Sequence, residues 1–175
     1  MTGARITLSI DDKAATESLR RLRGMAVWPT PLLRAIGVGM VRDTDQRLGG
    51  SVGPDYQAWP ALNPAYAALK RGGGMLRESG QRGGLAGSLT FHISSGAVEW
   101  GSDKVYAAVH QFGGKIAPKT GKALVFKLGG RLVRARSVTI PARPFLGFGR
   151  EEQDTVADVV EGFFARAMRG VTGTV

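Results

Sequence analysis

Few side chains in this sequence combine the residue types and spacings that chemistry requires. Gly49-Gly50-Ser51-Val52-Gly53 matches the nucleophile elbow of hydrolases, where a strained strand-to-helix turn lifts the serine above a parallel sheet. Here a helical pattern precedes the serine and Pro54 follows it, so the segment reads as a glycine-rich loop. Lys119-Thr120-Gly121, with Ser102-Asp103 upstream, echoes penicillin-recognising enzymes, but no serine in the chain is followed by the required lysine. His92 and His110 are the only histidines, and no Asp or Glu stands at a spacing diagnostic of zinc. His92 lies between Phe91 and Ile93 of an alternating segment, which puts it on the wetter face of a strand. Asp43 and Asp45 are two apart on a helical pattern and face different directions, so they make a poor acid–base pair. Gly121-Lys122 is followed by Ala and lacks the earlier glycine of a phosphate-binding loop. No catalytic, cofactor-binding or metal residues are nominated, and no cofactor is expected.

The elements that would position these residues follow from periodicity. Ala4 to Ile10 alternates as a half-buried strand, and Asp11 or Asp12 caps a helix from Lys13 that Gly24 stops. A longer helix runs from Pro31 to about Leu48, with Leu32, Leu33, Ile36, Met40, Val41 and Leu48 at helical spacing. Gly37 and Gly39 each weaken it by about 1 kcal/mol, and close packing against another backbone would justify them. Gly49 to Pro60 is an irregular loop, then Asn63-Pro64 caps a short helix to about Arg71. Gly72 to Gly87 is a basic, glycine-rich loop. Leu89, Phe91 and Ile93 alternate before a Ser95-Gly96 turn into Ala97–Trp100. Val105 to Phe112 forms a short helix with Val105, Ala108, Val109 and Phe112 on one face. A second hairpin pairs Ala123–Leu128 with Arg131–Ile140 through Gly129-Gly130. Glu151 to about Met168 is an amphipathic helix with Val156, Val159, Val160, Phe163, Phe164 and Ala167 on the core side. The order predicts an α+β fold, an antiparallel β-sheet packed by helices, as a single domain over 1–175.

Composition narrows the function classes. The chain has 175 residues, 43% of them hydrophobic, which suits one domain with a real core. It contains no cysteine, so disulfides and thiolate metal sites are excluded. The N-terminus has no apolar run of signal-peptide length, and no stretch reaches the roughly 18 apolar residues of a spanning helix, so a soluble protein is expected. The net charge is +10, and Lys104 to Arg150 holds ten Lys or Arg residues and no Asp or Glu. Ordinary surfaces mix both signs, so this run points to an anionic partner. Lys115, Lys119 and Lys122 fall on a loop, Lys127 and Arg131 flank the second hairpin's turn, and Arg134 and Arg136 share a strand face. These seven are the candidate contacts for DNA or an acidic protein ring. No recognition helix, zinc finger or RNA-binding motif accompanies them, which argues against sequence-specific readout.

Several separated motifs follow one another along the chain, beginning with Trp59-Pro-Ala-Leu-Asn-Pro-Ala-Tyr66 and Lys70, then Leu85-x-x-Ser88-Leu89. Glu99-Trp-Gly-Ser102, Tyr106-Ala-x-x-His110-Gln-Phe-Gly113 and Pro141-Ala-Arg143-Pro144-Phe145-Leu-Gly147 follow in order, before a final helix. In order and spacing this set, which spans residues 30–168, resembles the phage virion morphogenesis or tail completion proteins of Mu-like and related contractile-tailed phages. Leu76-x-x-Ser79-Gly80 also resembles the family's loop entrance.

The resemblance implies a structural, non-enzymatic virion protein that completes the tail at its head-proximal end. It implies a homo-oligomeric ring, hexameric on this expectation, in the neck between the tail tube or terminal tail protein and a head connector or stopper. Packaged DNA in the channel would be a non-specific contact, no membrane is involved, and the host cytoplasm is the site of assembly. Among the motif residues, Tyr106, Phe112 and Phe145 are expected to fix sheet-to-loop corners, and Gly113-Gly114 to allow a backbone geometry that side chains would block. The loops Gly72–Gly84 and Gly113–Gly121 are expected to be mobile until assembly, since neither has the apolar content to offset its ordering cost. The alternative from another class is a non-specific DNA-binding protein using the basic 104–150 surface, with a Ser51 hydrolase as a distant third.

Overall fold

Pro31 sits in the first turn of the longest helix, where its missing N–H costs nothing, and Leu33 N donates to Pro29 O at 2.8 Å. This helix, α1, spans Thr30–Gly50 and ends where Ser51 adopts a left-handed conformation at φ 56°. A computed structural model describes residues 29–70, 74–77 and 84–169, with the backbone alone at 167 and 169, and five earlier positions. Those five, Thr16, Glu17, Arg20, Arg23 and Gly24, are helical, as the N-terminal helix requires. The expected strand Ala4–Ile10 lies outside the described residues, as does most of the Gly72–Gly84 loop.

Asn63 caps α2 (Pro64–Ala67) by accepting a hydrogen bond from Ala65 N at 3.0 Å. The helix is shorter than its sequence pattern, with a turn continuing to Leu69. A single 3-10 turn, Ala86–Ser88, leads into β1 (Leu89–Ser94), which pairs antiparallel with β2 (Ala97–Ser102). Ser95 at φ 50° and Gly96 at φ 77° form the tight turn that matches strand twist. Next come α3 (Ala107–Phe112) and β3 (Gly114–Ile116). Then β4 (Leu124–Leu128) and β5 (Arg131–Ala135) form the second hairpin through Gly129-Gly130, both at positive φ. The strand β6 (Val138–Ile140) and the helix α4 (Arg150–Arg169) are the last described elements.

Three differences from the sequence expectation concern the strands. The run Arg131–Ile140 is not one strand: it bends at Arg136, and its second half, β6, pairs with β3. Gly114–Ile116, expected to be part of a loop, is therefore a strand, and Lys115 is paired in register with Thr139. The strands also form three separate two-stranded antiparallel sheets, β1–β2, β3–β6 and β4–β5. The fold is α+β, as the element order indicated, but helices and loops join its ribbons.

The close approach that Gly37 and Gly39 implied is present, and its partners are side chains rather than backbone. A Cβ on Gly37 would lie 2.4 Å from the Phe91 ring of β1, and one on Gly39 would lie 2.6 Å from Thr155 of α4. These contacts seat α1 between the first hairpin and the last helix. Leu48, Trp59, Leu85 and Phe145 form the buried apolar cluster, with Met75, Leu76, Leu89 and Leu146 packed around it.

Candidate functional site

The segment 141–149 carries no regular secondary structure, yet side chains from several elements bond to it. Phe145 is fully closed to solvent, and its neighbours are held through their backbone. Trp59 Nε1 donates to Pro144 O at 2.9 Å, and Arg47 Nη1 donates to Phe145 O at 3.2 Å. Gln111 Oε1 accepts from both Phe145 N and Leu146 N at 3.0 Å, while its Nε2 donates to Leu146 O at 2.8 Å. Arg143 turns inward and its guanidinium donates to Pro60 O and Ala61 O at 2.9–3.1 Å. Its own N–H donates to His110 O at 2.7 Å. Buried backbone groups without a helix or strand must find such partners, and here side chains from α1, the 51–63 loop and α3 supply them.

The structure thus brings Trp59, His110, Arg143, Pro144 and Phe145 together around one irregular segment. Gly113 belongs to the same corner: at φ 72°, an added Cβ would meet Ala142 N at 2.8 Å and Ile140 O at 3.1 Å. That is the blocked geometry expected of it. Two aromatic residues do not act as expected. Phe112 at the end of α3 is 79% exposed and fixes no corner in the free subunit; of the face expected to share it, Val105 lies in the turn before α3 and is 99% exposed, while Val109 is half-buried. Tyr106 is only partly covered, with its ring edge-on to His110 at 5.9 Å, and Tyr66 is about half exposed.

Tyr66, Tyr106 and His110 line an apolar cleft of about 490 Å³, together with Leu85, Phe126 on the inner face of β4, and Ile140. His110 Nδ1 is buried there without a hydrogen-bond partner. Burial, and secondarily the positive charge of Arg143, holds the His110 pKa below the usual imidazole value. Burial likewise lowers the pKa of Arg143 itself. His92 is exposed on β1, on the wet face that alternation assigned to it.

The remaining chemical candidates have structural surroundings. Ser51 is a helix C-cap rather than a strand-to-helix elbow, and its Oγ accepts from Met75 N at 3.3 Å. Asp43 and Asp45 diverge as predicted: Asp43 is buried and bound by Arg42 at 2.9 Å, while Asp45 meets Arg77 at 2.7 Å. Among the described residues no group of three His, Cys, Asp or Glu could hold a metal ion, and no helix is long and apolar enough to cross a membrane.

Sequence reasoning missed the polar centre of the core. Arg47 of α1 and Glu152 of α4 form an ion pair with both side chains closed to solvent, and Glu152 Oε2 also accepts from Gly149 N at 2.8 Å. Thr44, three residues before Arg47, is also buried, its Oγ1 accepting from Trp100 Nε1 at 3.2 Å and donating to Met40 O at 2.7 Å. The signal was available in the spacing. Arg47 stands seven residues from Met40 and next to Leu48, and Glu152 stands four before Val156, so both occupy apolar stripes.

The seven nominated cations form a different region. Lys115, Lys119, Lys122, Lys127, Arg131, Arg134 and Arg136 are all exposed, and none makes an ion pair among the described residues. Lys115 is on β3, Lys119 and Lys122 are in the 117–123 loop, and the other four belong to the β4–β5 hairpin or the bend after it. Arg143, the inward exception within the basic run, is 5% exposed.

The comparisons agree with the motif order. A model of the phage virion morphogenesis family matches residues 10–165. Protein G of Escherichia phage Mu, whose name assigns it provisionally to capsid assembly, is 26% identical over 141 residues, covering 78% of this chain and 80% of its own. The Mu-like prophage FluMu G protein 2 of Haemophilus influenzae is 28% identical over 152 residues, covering 85% and 88%. No solved structure matches. With the family's pattern extending over nearly the whole described fold, this chain belongs to the phage virion morphogenesis family.

Proposed function

We propose that this protein is a non-enzymatic ring subunit that completes a phage tail at its head-proximal end and joins it to the head. The observation that carries the reading is the contrast between two regions of one small fold. Inside, Trp59, Gln111, Arg143 and Arg47 pin an irregular segment with side-chain bonds. Outside, seven cations stand without acidic partners among the described residues. A rigid body with an unpaired, one-signed surface is suited to docking, because its charge is neutralised only on meeting an anionic partner. The name of the phage Mu relative places that protein in capsid assembly, and a neck ring acts where capsid and tail meet.

In this reading Lys115, Lys119 and Lys122 dock an acidic surface of the tail tube or head connector. The hairpin cations Lys127, Arg131, Arg134 and Arg136 face a second anionic surface. DNA is the other anionic surface that these cations were expected to contact. The exposed apolar side chains Val125 and Leu132 on the same hairpin favour protein there, since they gain nothing against phosphates. Charge reversal of Lys119 and Lys122 tests the docking role, scored in infected cells as joined particles against separate heads and tails. Separate heads and tails are expected; normal joining at both low and raised salt removes those lysines from the interface.

A further inference from the structure

Charge is segregated along this chain. The ten cations from Lys104 to Arg150 are followed at once by Glu151, Glu152, Asp154, Asp158 and Glu161, with no Lys or Arg among them until Arg166. Folding removes Glu152 into the core against Arg47. The other four recur at positions i, i+3, i+7 and i+10 of α4, which confines them to a face roughly 80° wide at 100° per residue. Asp154, Asp158 and Glu161 are exposed, and so is the small Ala165 on the same face. Asp154 has only a loose contact with Arg150 at 3.9 Å, and Asp158 and Glu161 make no ion pair among the described residues.

The β4–β5 hairpin has the complementary surface. Its register sets Val125 opposite Arg134 and Lys127 opposite Leu132, so each cross-strand pair puts an apolar side chain beside a cation. All four are exposed, Val125 by 55% and Leu132 by 60%. A free two-stranded ribbon with such a face is marginal on its own and gains from being covered.

We infer that the outer face of the β4–β5 hairpin docks on the acidic face of α4 of a second copy of this chain. The inference rests on the ring reading and names the contact that closes the ring. Opposite charges sit on different elements of one subunit and, among the described residues, do not pair with each other. Pairing them between copies makes a heterologous, head-to-tail contact, the kind that generates closed rings. Lys127 and Arg134 meet Asp158 and Glu161, while Val125 and Leu132 approach the helix where Ala165 leaves room. Every subunit then offers one hairpin and one helix, and the like-charge repulsion of adjacent copies is cancelled at each joint.

The test measures assembly of the full-length chain by sedimentation velocity and mass photometry. The hairpin variant carries Lys127→Glu and Arg134→Glu, and the helix variant carries Asp158→Lys and Glu161→Lys. Circular dichroism and melting temperature confirm folding, which exposed sites should not disturb. Wild-type chain is expected to form a closed oligomer at low salt that dissociates as salt rises. Either variant alone should need about tenfold more protein to assemble, and an equimolar mixture of the two should recover to within about threefold of wild type. A ring that ignores both reversals, or variants that weaken without rescue in the mixture, overturns the hairpin–helix contact and leaves the ring reading standing. A hairpin variant that assembles normally but loses retention of duplex DNA overturns it in favour of nucleic acid. A wild-type chain that remains monomeric at low salt overturns the ring reading itself.

Discussion

Arg47 on α1 and Glu152 on α4 are paired with their side chains 2% and 1% exposed, so a buried ion pair crosses the contact between these two helices. The same two residues hold the 141–149 segment at its middle and at its end, Arg47 through Phe145 O and Glu152 through Gly149 N. Helix packing and the placement of the irregular segment therefore share one pair.

Breaking that pair should be among the most damaging single changes. Glu152→Gln keeps the shape but leaves a buried guanidinium whose charge is uncompensated, and Arg47→Met leaves a buried carboxylate. Each is expected to cost about 3–5 kcal/mol, because the surviving charge loses its partner without regaining water. Urea unfolding would show it; a shift below about 1 kcal/mol for both would mean the pair is solvated and not central.

His110 makes stability depend on pH with a definite sign. Its folded pKa is lowered by burial and then by Arg143, so the unfolded chain binds the proton more readily. Its neutral form supports the fold fully above the unfolded value of about 6.5, and that support is lost as pH falls from there through the folded value. His110→Gln cannot take up a proton and should show a smaller drop in melting temperature between neutral and mildly acidic buffer. Parallel curves for the two proteins would show that His110 does not contribute.

Two positive-φ glycines should respond differently to alanine. Gly113→Ala places a methyl 2.8 Å from Ala142 N in addition to its φ of 72°, whereas Gly129, at φ 62°, has nothing within 4 Å. The loss at Gly129 should be about 1–2 kcal/mol of backbone strain, with at least about 1–3 kcal/mol more at Gly113 from the clash. Equal destabilisation of the two variants would contradict the close approach of 113 to 142.

Gln111→Ala strips partners from Phe145 N and Leu146 N at once, and from Leu146 O. With about 1–3 kcal/mol for each orphaned buried group, a total near 2–4 kcal/mol is expected after local relaxation. Amide exchange at 145 and 146 reads the effect directly. Unchanged protection there would mean water replaces the side chain without loss.

Local patterns in the sequence determined much of this protein. Asn63-Pro64, Ser95-Gly96 and Gly129-Gly130 encode their cap and turns because each requirement, a side-chain acceptor, a fixed φ or a positive φ, is met within a few residues. Helical periodicity located α1 and α4 to within about two residues, and the order of the aromatic and proline motifs gave the family. Tertiary structure alone decided the rest. The pairing of β3 with β6 joins residues some twenty-four positions apart, a register that no local pattern specifies. Phe112 and Val105 satisfy a helical face by spacing, but whether that face meets a core or solvent depends on what packs beside it. Arg47 and Glu152 fall on apolar stripes by their spacing, but only the crossing of α1 and α4 makes each the other's partner inside the protein.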